Sequence, residues 1–206
     1  SMSPLLMEKY LDAAEAISQT AVEIPQNNGP GTAFQKAYFK LPLAKDTEEA
    51  ALKGFVAKFM RRAYRREIRA EEIDRMMAVS KAAVDEATPI HARVQVVIQA
   101  VLVSPHFLFR WELDGAPSNP KAIRRLNEYE LASRLAFFIW SSGPDDRLLN
   151  LAAKGTLRKQ LEAEVRRMLA DSKAESLVRN FSGQWLQLRN LDIVRPDKNL
   201  FPAYTT

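Results

Sequence analysis

The sequence predicts an all-α fold, an irregular multi-helix bundle of about eight or nine helices. Three observations carry this. Apolar residues recur every three or four positions through most of the 206 residues. Capping and stop signals stand where those stripes begin and end. Glycine is scarce, at seven residues, too few for the many tight turns of an all-β fold.

The elements follow in order. Leu6, Tyr10, Ala13, Ala14 and Ile17 form the first stripe, behind Pro4 at a first helical position. Residues 22–46 break the pattern with three prolines, one of them in a Gly-Pro-Gly, which predicts a long irregular connection. Asp46 and Glu49 have capping-box spacing and open a helix with Leu52, Phe55, Val56, Phe59, Met60 and Ala63 on one face. A third helix, over about 70–87, carries Ile73, Met76, Met77 and Val84. Thr88-Pro89 caps a fourth, with Ile90, Val94, Val97, Ile98, Val101 and Leu102. Its β-branched content allows a strand, but the cap and the period together select helix. Ser104-Pro105 ends that helix and starts another.

Beyond a loop at 114–125, Asn127 and Glu130 form a second capping box. The helix they open is apolar on every side in its second half, which predicts a central position. Pro144, Asp145 and Asp146 start a short helix that Gly155 follows. Leu157, Leu161, Val165, Met168 and Leu169 mark the next helix. Ala174, Leu177, Val178, Phe181, Trp185 and Leu188 mark the last. No internal repeat recurs. The stretch around 115–122 divides an N-terminal helical subdomain, 1–115, from a C-terminal one, 123–206.

Composition narrows the function classes. Hydrophobic residues make up 47% and charged residues 27%, ordinary for a chain with a packed core. The absence of cysteine removes disulfides, thiolate zinc sites, thiol nucleophiles and covalent haem attachment from this chain. No apolar run approaches the roughly 20 residues of a membrane span. The net charge of +5 permits an anionic partner without requiring one.

Each candidate site has a functional and a local reading. His106 could act as a general base or as a metal or haem ligand, yet it lacks a partner at fixed spacing, which favours a histidine packed at a helix start. Asp145 and Asp146 suit a helix N-terminus, and adjacent helical residues diverge too far to share a proton. Arg61, Arg62, Arg65, Arg66 and Arg69 are the densest basic cluster. They are anion-binding candidates, or cations gathered at a helix C-terminus. Nucleic acid is the less favoured partner, because only Tyr64 interleaves an aromatic. Gln95 and Gln99 suggest inter-helix hydrogen bonding, and Trp111, Trp140 and Trp185 suggest packing anchors.

Two stretches carry a resemblance. "FMRRAYRREIRAEEIDRMM" with "VQVVIQAVLVSPHFLFRWEL" resembles the domain of unknown function 1595. "LNEYELASRLAFFIWSSGPDDRLLNLAAKGTL", running to "GQWLQLRNLD" and beyond, resembles the domain of unknown function 1592. The opening "SPLLMEKYLDAAEAI" is similar to the end of domain 1587. Such domains stand side by side in large exported proteins of planctomycetes and related bacteria, often with cytochrome-c-like modules. The resemblance therefore implies a periplasmic or otherwise exported location, partner domains in the same polypeptide and haem c bound elsewhere in it, with no cofactor held by this chain. It also implies that this chain is an excised piece. It transfers no catalytic residue. His106, Arg110 and Asp146 are the residues to test if the chain forms part of an oxidoreductase whose site other modules complete. One departure from the pattern matters: Glu67 and Arg69 stand where the family has Pro and Thr, which removes a strong cap ahead of the third helix.

Overall fold

The computed structural model of the chain describes residues 3–22, 48–84, 89–110, 112, 119, 123–190, 197, 199 and 200. Among the described residues there are helices and no strands. The chain divides into two compact units, Ser1–Leu126 and Asn127–Thr206.

The first unit is built round α4 (Ile90–Leu102), which packs against α1 (Pro4–Val22), α2 (Glu48–Tyr64), α3 (Ala70–Ala82) and the single turn α5 (Pro105–Leu108). Val94, Val97, Ile98 and Val101 are its buried face, at the i, i+3, i+4, i+7 spacing of one helical stripe. They meet Leu52, Phe55, Val56 and Met60 of α2 in one core. The period outweighs the strand propensity of the β-branched residues because this helix is covered on several sides, where packing rather than intrinsic preference decides. Ser104 caps α5 by accepting a hydrogen bond from the His106 N–H at 3.3 Å, so the Ser-Pro restart is present.

Two helices of this unit differ from the sequence expectation. In α1 the buried residues are Ala14, Ser18 and Val22, whereas Leu6 and Ile17 stand 44% and 54% exposed. The small side chains allow close approach to α4, and Gln99 of α4 donates a 3.0 Å hydrogen bond to the Ser18 hydroxyl. That polar bond selects a face about a quarter-turn from the larger apolar stripe. Helix α3 ends at Ala82 rather than near 87, and Val84 falls beyond it. Its start is secure without a threonine cap, because the Glu72 carboxylate accepts the Arg69 N–H at 3.1 Å. The caps at Asp46 and Thr88, Trp111 and the loop over 113–118 lie outside the described residues.

The second unit centres on α6 (Glu128–Trp140), which packs against α7 (Asp146–Ala153), α8 (Leu161–Leu169) and the start of α9 (175–185). Ala132, Ala136, Ile139 and Trp140 join Leu148, Ala152, Leu157 and Met168 in its core. The Asn127–Glu130 box closes at both ends with 2.8 Å bonds. Asp145 caps α7 by accepting from the Leu148 N–H at 2.8 Å. Gly155 follows α7 at φ +65°, a conformation that suits glycine. The last helix, α9, runs Glu175–Leu177, then a π-turn over Val178–Ser182, then Gly183–Trp185. Its spacing predicts a buried stripe, and the structure differs. Gly183 is its only buried residue, and Val178, Phe181 and Trp185 face outward.

Candidate functional site

Three constellations gather the polar and aromatic residues that chemistry or binding could use. The first is the turn between α2 and α3, where it meets α5. Arg65 sits just past α2 at φ 58° and is buried. Its guanidinium donates to the carbonyls of Ala63 at 2.9 Å, Phe107 at 3.2 Å, His106 at 2.9 Å and Phe109 at 2.8 Å. One fork thus collects carbonyl oxygens at the ends of two helices, where such groups lack intrahelical donors. Burial, with Arg110 a second influence, pulls the Arg65 guanidinium below its ordinary pKa.

Beside it, Arg66 grips Glu72 through two bonds, at 2.9 and 2.7 Å. The Glu72 carboxyl is held at about 2, chiefly by that hydrogen bond from Arg66. Arg66 also lies over the Tyr64 ring at 5.6 Å, and the His106 ring leans on the same tyrosine at 5.2 Å. Desolvation, reinforced by Arg66, lowers the His106 pKa below the ordinary imidazole value, which leaves the ring neutral at pH 7. Burial raises the Tyr64 phenol.

The basic cluster is therefore not one surface. Arg65 points inward onto carbonyls and Arg66 is committed to Glu72, while Arg62 and Arg69 are exposed and Arg61 is half-buried. His106 and Arg110 belong to the first unit and Asp146 to the second. Asp146 is exposed in the first turn of α7, with Asp145 before it as the cap.

The second constellation fills the space between α7 and α8. Glu164 is fully buried and receives Arg147 Nε at 2.8 Å and Arg167 Nε at 2.8 Å. Arg167 also donates to Asp145 at 3.0 Å, so the α7 cap and the α8 network are continuous. Burial alone would raise the Glu164 carboxyl, but hydrogen bonds from Arg147 and Arg167 outweigh it and lower the pKa. Trp140 Nε1 donates to the Met168 carbonyl at 2.9 Å, and its ring takes Arg167 at 5.4 Å and Lys173 at 4.6 Å. An open depression of about 530 Å³ beside this network is lined by Arg147, Asn150, Leu151, Lys154 and Gln160. Among the described residues no group of three or more His, Asp or Glu side chains is placed to hold a metal ion, and no helix is long and apolar enough to cross a membrane.

The third constellation is aromatic. Phe138 of α6 meets Phe181 edge-on at 5.8 Å, and Phe181 stacks on Trp185 at 5.9 Å. These side chains stand 57%, 50% and 72% exposed. Exposed rings in contact with one another are uncommon on a surface that meets only water, and such patches mark contact faces. The sequence placed Trp185 among packing anchors because its spacing fits the stripe; only burial distinguishes the two. The Glu164 network did leave a sequence signal. Glu164 sits three residues after Leu161 and four before Met168, on the apolar stripe itself.

Comparison with known families finds two matching stretches. Residues 51–112 match the family described as protein of unknown function (DUF1595), and residues 126–206 match that described as protein of unknown function (DUF1592). No curated protein and no solved structure matches the chain.

Proposed function

We propose that this chain, carrying a DUF1595 and a DUF1592 segment, is a helical scaffold and interaction module within a larger exported bacterial protein whose other modules include haem c. The observation that supports this reading is the division of labour among side chains. The arginines and carboxylates most suggestive of chemistry are engaged with one another or with backbone, while the aromatic row Phe138–Phe181–Trp185 faces outward. A face of that composition supplies the large, stiff side chains that anchor protein contacts. The family resemblance supports the location, the haem-bearing neighbours and the identity of the partner as other domains of the same polypeptide. Expressing the chain and the rest of its polypeptide as separate pieces tests the proposal. Co-elution of the two supports it. Independent elution, or turnover by the isolated chain, opposes it.

A second reading makes the chain part of an oxidoreductase site. What favours it is the neutral His106 beside Tyr64 and Arg66, a ring able to accept a proton. Replacing His106, Arg110 and Asp146 in turn in the intact protein, with folding verified, tests it. Undiminished activity in all three removes it.

A further inference from the structure

Two unusual backbone features of the second unit meet at one hydrogen bond. Ser141, which ends α6, is left-handed at φ 51°, although it is not glycine. The π-turn over Val178–Ser182 interrupts an otherwise α-helical α9. Asn180, in the middle of that turn, donates from its side-chain amide to the Ser141 hydroxyl at 2.8 Å. A π-turn holds one residue more than the α-helix around it, and its bonding is the poorer of the two. Something outside the helix must therefore favour it.

We propose that the Asn180–Ser141 bond is a register lock. It holds the extra residue in the π-turn and so sets the azimuth of everything after it, including Trp185. If the turn relaxed to regular α-helix with the same sequence, each following residue would advance by about 100°. Ser182 would take the buried position of Gly183, and Trp185 would leave its stack on Phe181 for the position of Leu186. Asn180 is thus a positioning residue for the aromatic face. Only the use of that face rests on the docking function proposed above; the register itself does not.

The lock makes an unusual demand, that deleting a residue disturbs less than trimming its side chain. Deleting Asn180 removes the surplus residue along with the bond, so α9 continues as plain α-helix with Trp185 where it was. Asn180→Ala keeps the surplus residue, loses the bond and lets Trp185 rotate. The experiment is ¹⁹F NMR of the full chain labelled with 5-fluorotryptophan, with the Trp185 line assigned through Trp185→Phe and helix content followed by circular dichroism. The expected result is a Trp185 line at the wild-type position in the deletion and at a shifted position in Asn180→Ala. Ser141→Ala, which removes the bond from its other end, reproduces the shift if Asn180→Ala folds poorly. Asn180→Asp, which still accepts the Ser141 hydroxyl proton, restores the wild-type line. An unshifted line in both alanine variants, or a shifted one in the deletion, overturns the lock. Undiminished partner binding by Asn180→Ala despite its shifted line would count against the docking reading alone.

Discussion

At the scale of single residues, Arg65 shows how a charged side chain can resemble a binding site in sequence and act as a fastener in structure. It is one of five arginines within nine positions, and nothing in that spacing separates it from its neighbours. What sets it apart is the left-handed turn that sends it inward to the carbonyls of residues 63, 106, 107 and 109. Lysine cannot reproduce the planar fork. Arg65→Lys and Arg65→Ala should each destabilise the first unit by about 2–4 kcal/mol in chemical denaturation. Arg65→Gly should lose about 1 kcal/mol less than Arg65→Ala, because glycine removes the strain of the positive φ. Equal losses for glycine and alanine would show that the turn is unstrained.

Glu72 gives a prediction in pH. Its folded pKa, about 2, lies below the ordinary carboxylate value of 4.5, so its stabilisation is fully present above 4.5 and disappears as pH falls towards 2. The side chain is largely buried, and the shift corresponds to on the order of 3 kcal/mol. Glu72→Gln should therefore flatten the dependence of stability on pH between about 4.5 and 2. Acid titration by circular dichroism checks this, and an unchanged acid limb would place the stabilisation elsewhere.

At the scale of elements, legibility followed how completely each helix is covered. Helix α4 was readable because several neighbours bury one continuous stripe, and the caps of α6 and α7 were readable because Asn127 and Asp145 act through local bonds. Helix α1 was read about a quarter-turn off: Ala14 of the expected stripe is buried, but Leu6 and Ile17 are exposed, because contact with α4 rewarded close approach and the Gln99 bond to Ser18. The consequence can be measured. Ile17→Ala should change stability by no more than about 0.5 kcal/mol. Ser18→Leu, which must force α1 away from α4 and strand the Gln99 amide, should cost about 2 kcal/mol or more. Comparable losses would restore the larger stripe as the packed one. Helix α9 could not be read at all in this respect. Its spacing is that of a buried helix, and the π-turn leaves no signature in residue types.

At the scale of the whole molecule, the fold class was legible from periodicity and the exposed aromatic row was not. Periodicity reports that an apolar stripe exists; it does not report whether this chain or another covers it. Each unit has its own core, and each ties its charged residues into networks, Arg66–Glu72 in one and Arg147–Glu164–Arg167–Asp145 in the other. The same residue types that suggested chemistry in the sequence are the ones these networks use. The aromatic row Phe138–Phe181–Trp185 lies outside both networks and exposed, which is why the proposed docking function falls on it.

The most direct test of the proposed docking is the affinity of the chain for the other domains that the proposal places in the same polypeptide, measured by calorimetry for wild type, for Phe181→Ala with Trp185→Ala, and for His106→Ala. The account predicts at least a tenfold weakening from the aromatic pair, about 1.4 kcal/mol or more, and no change from the histidine. Undiminished affinity in the aromatic variant, or a loss confined to His106→Ala, would contradict it.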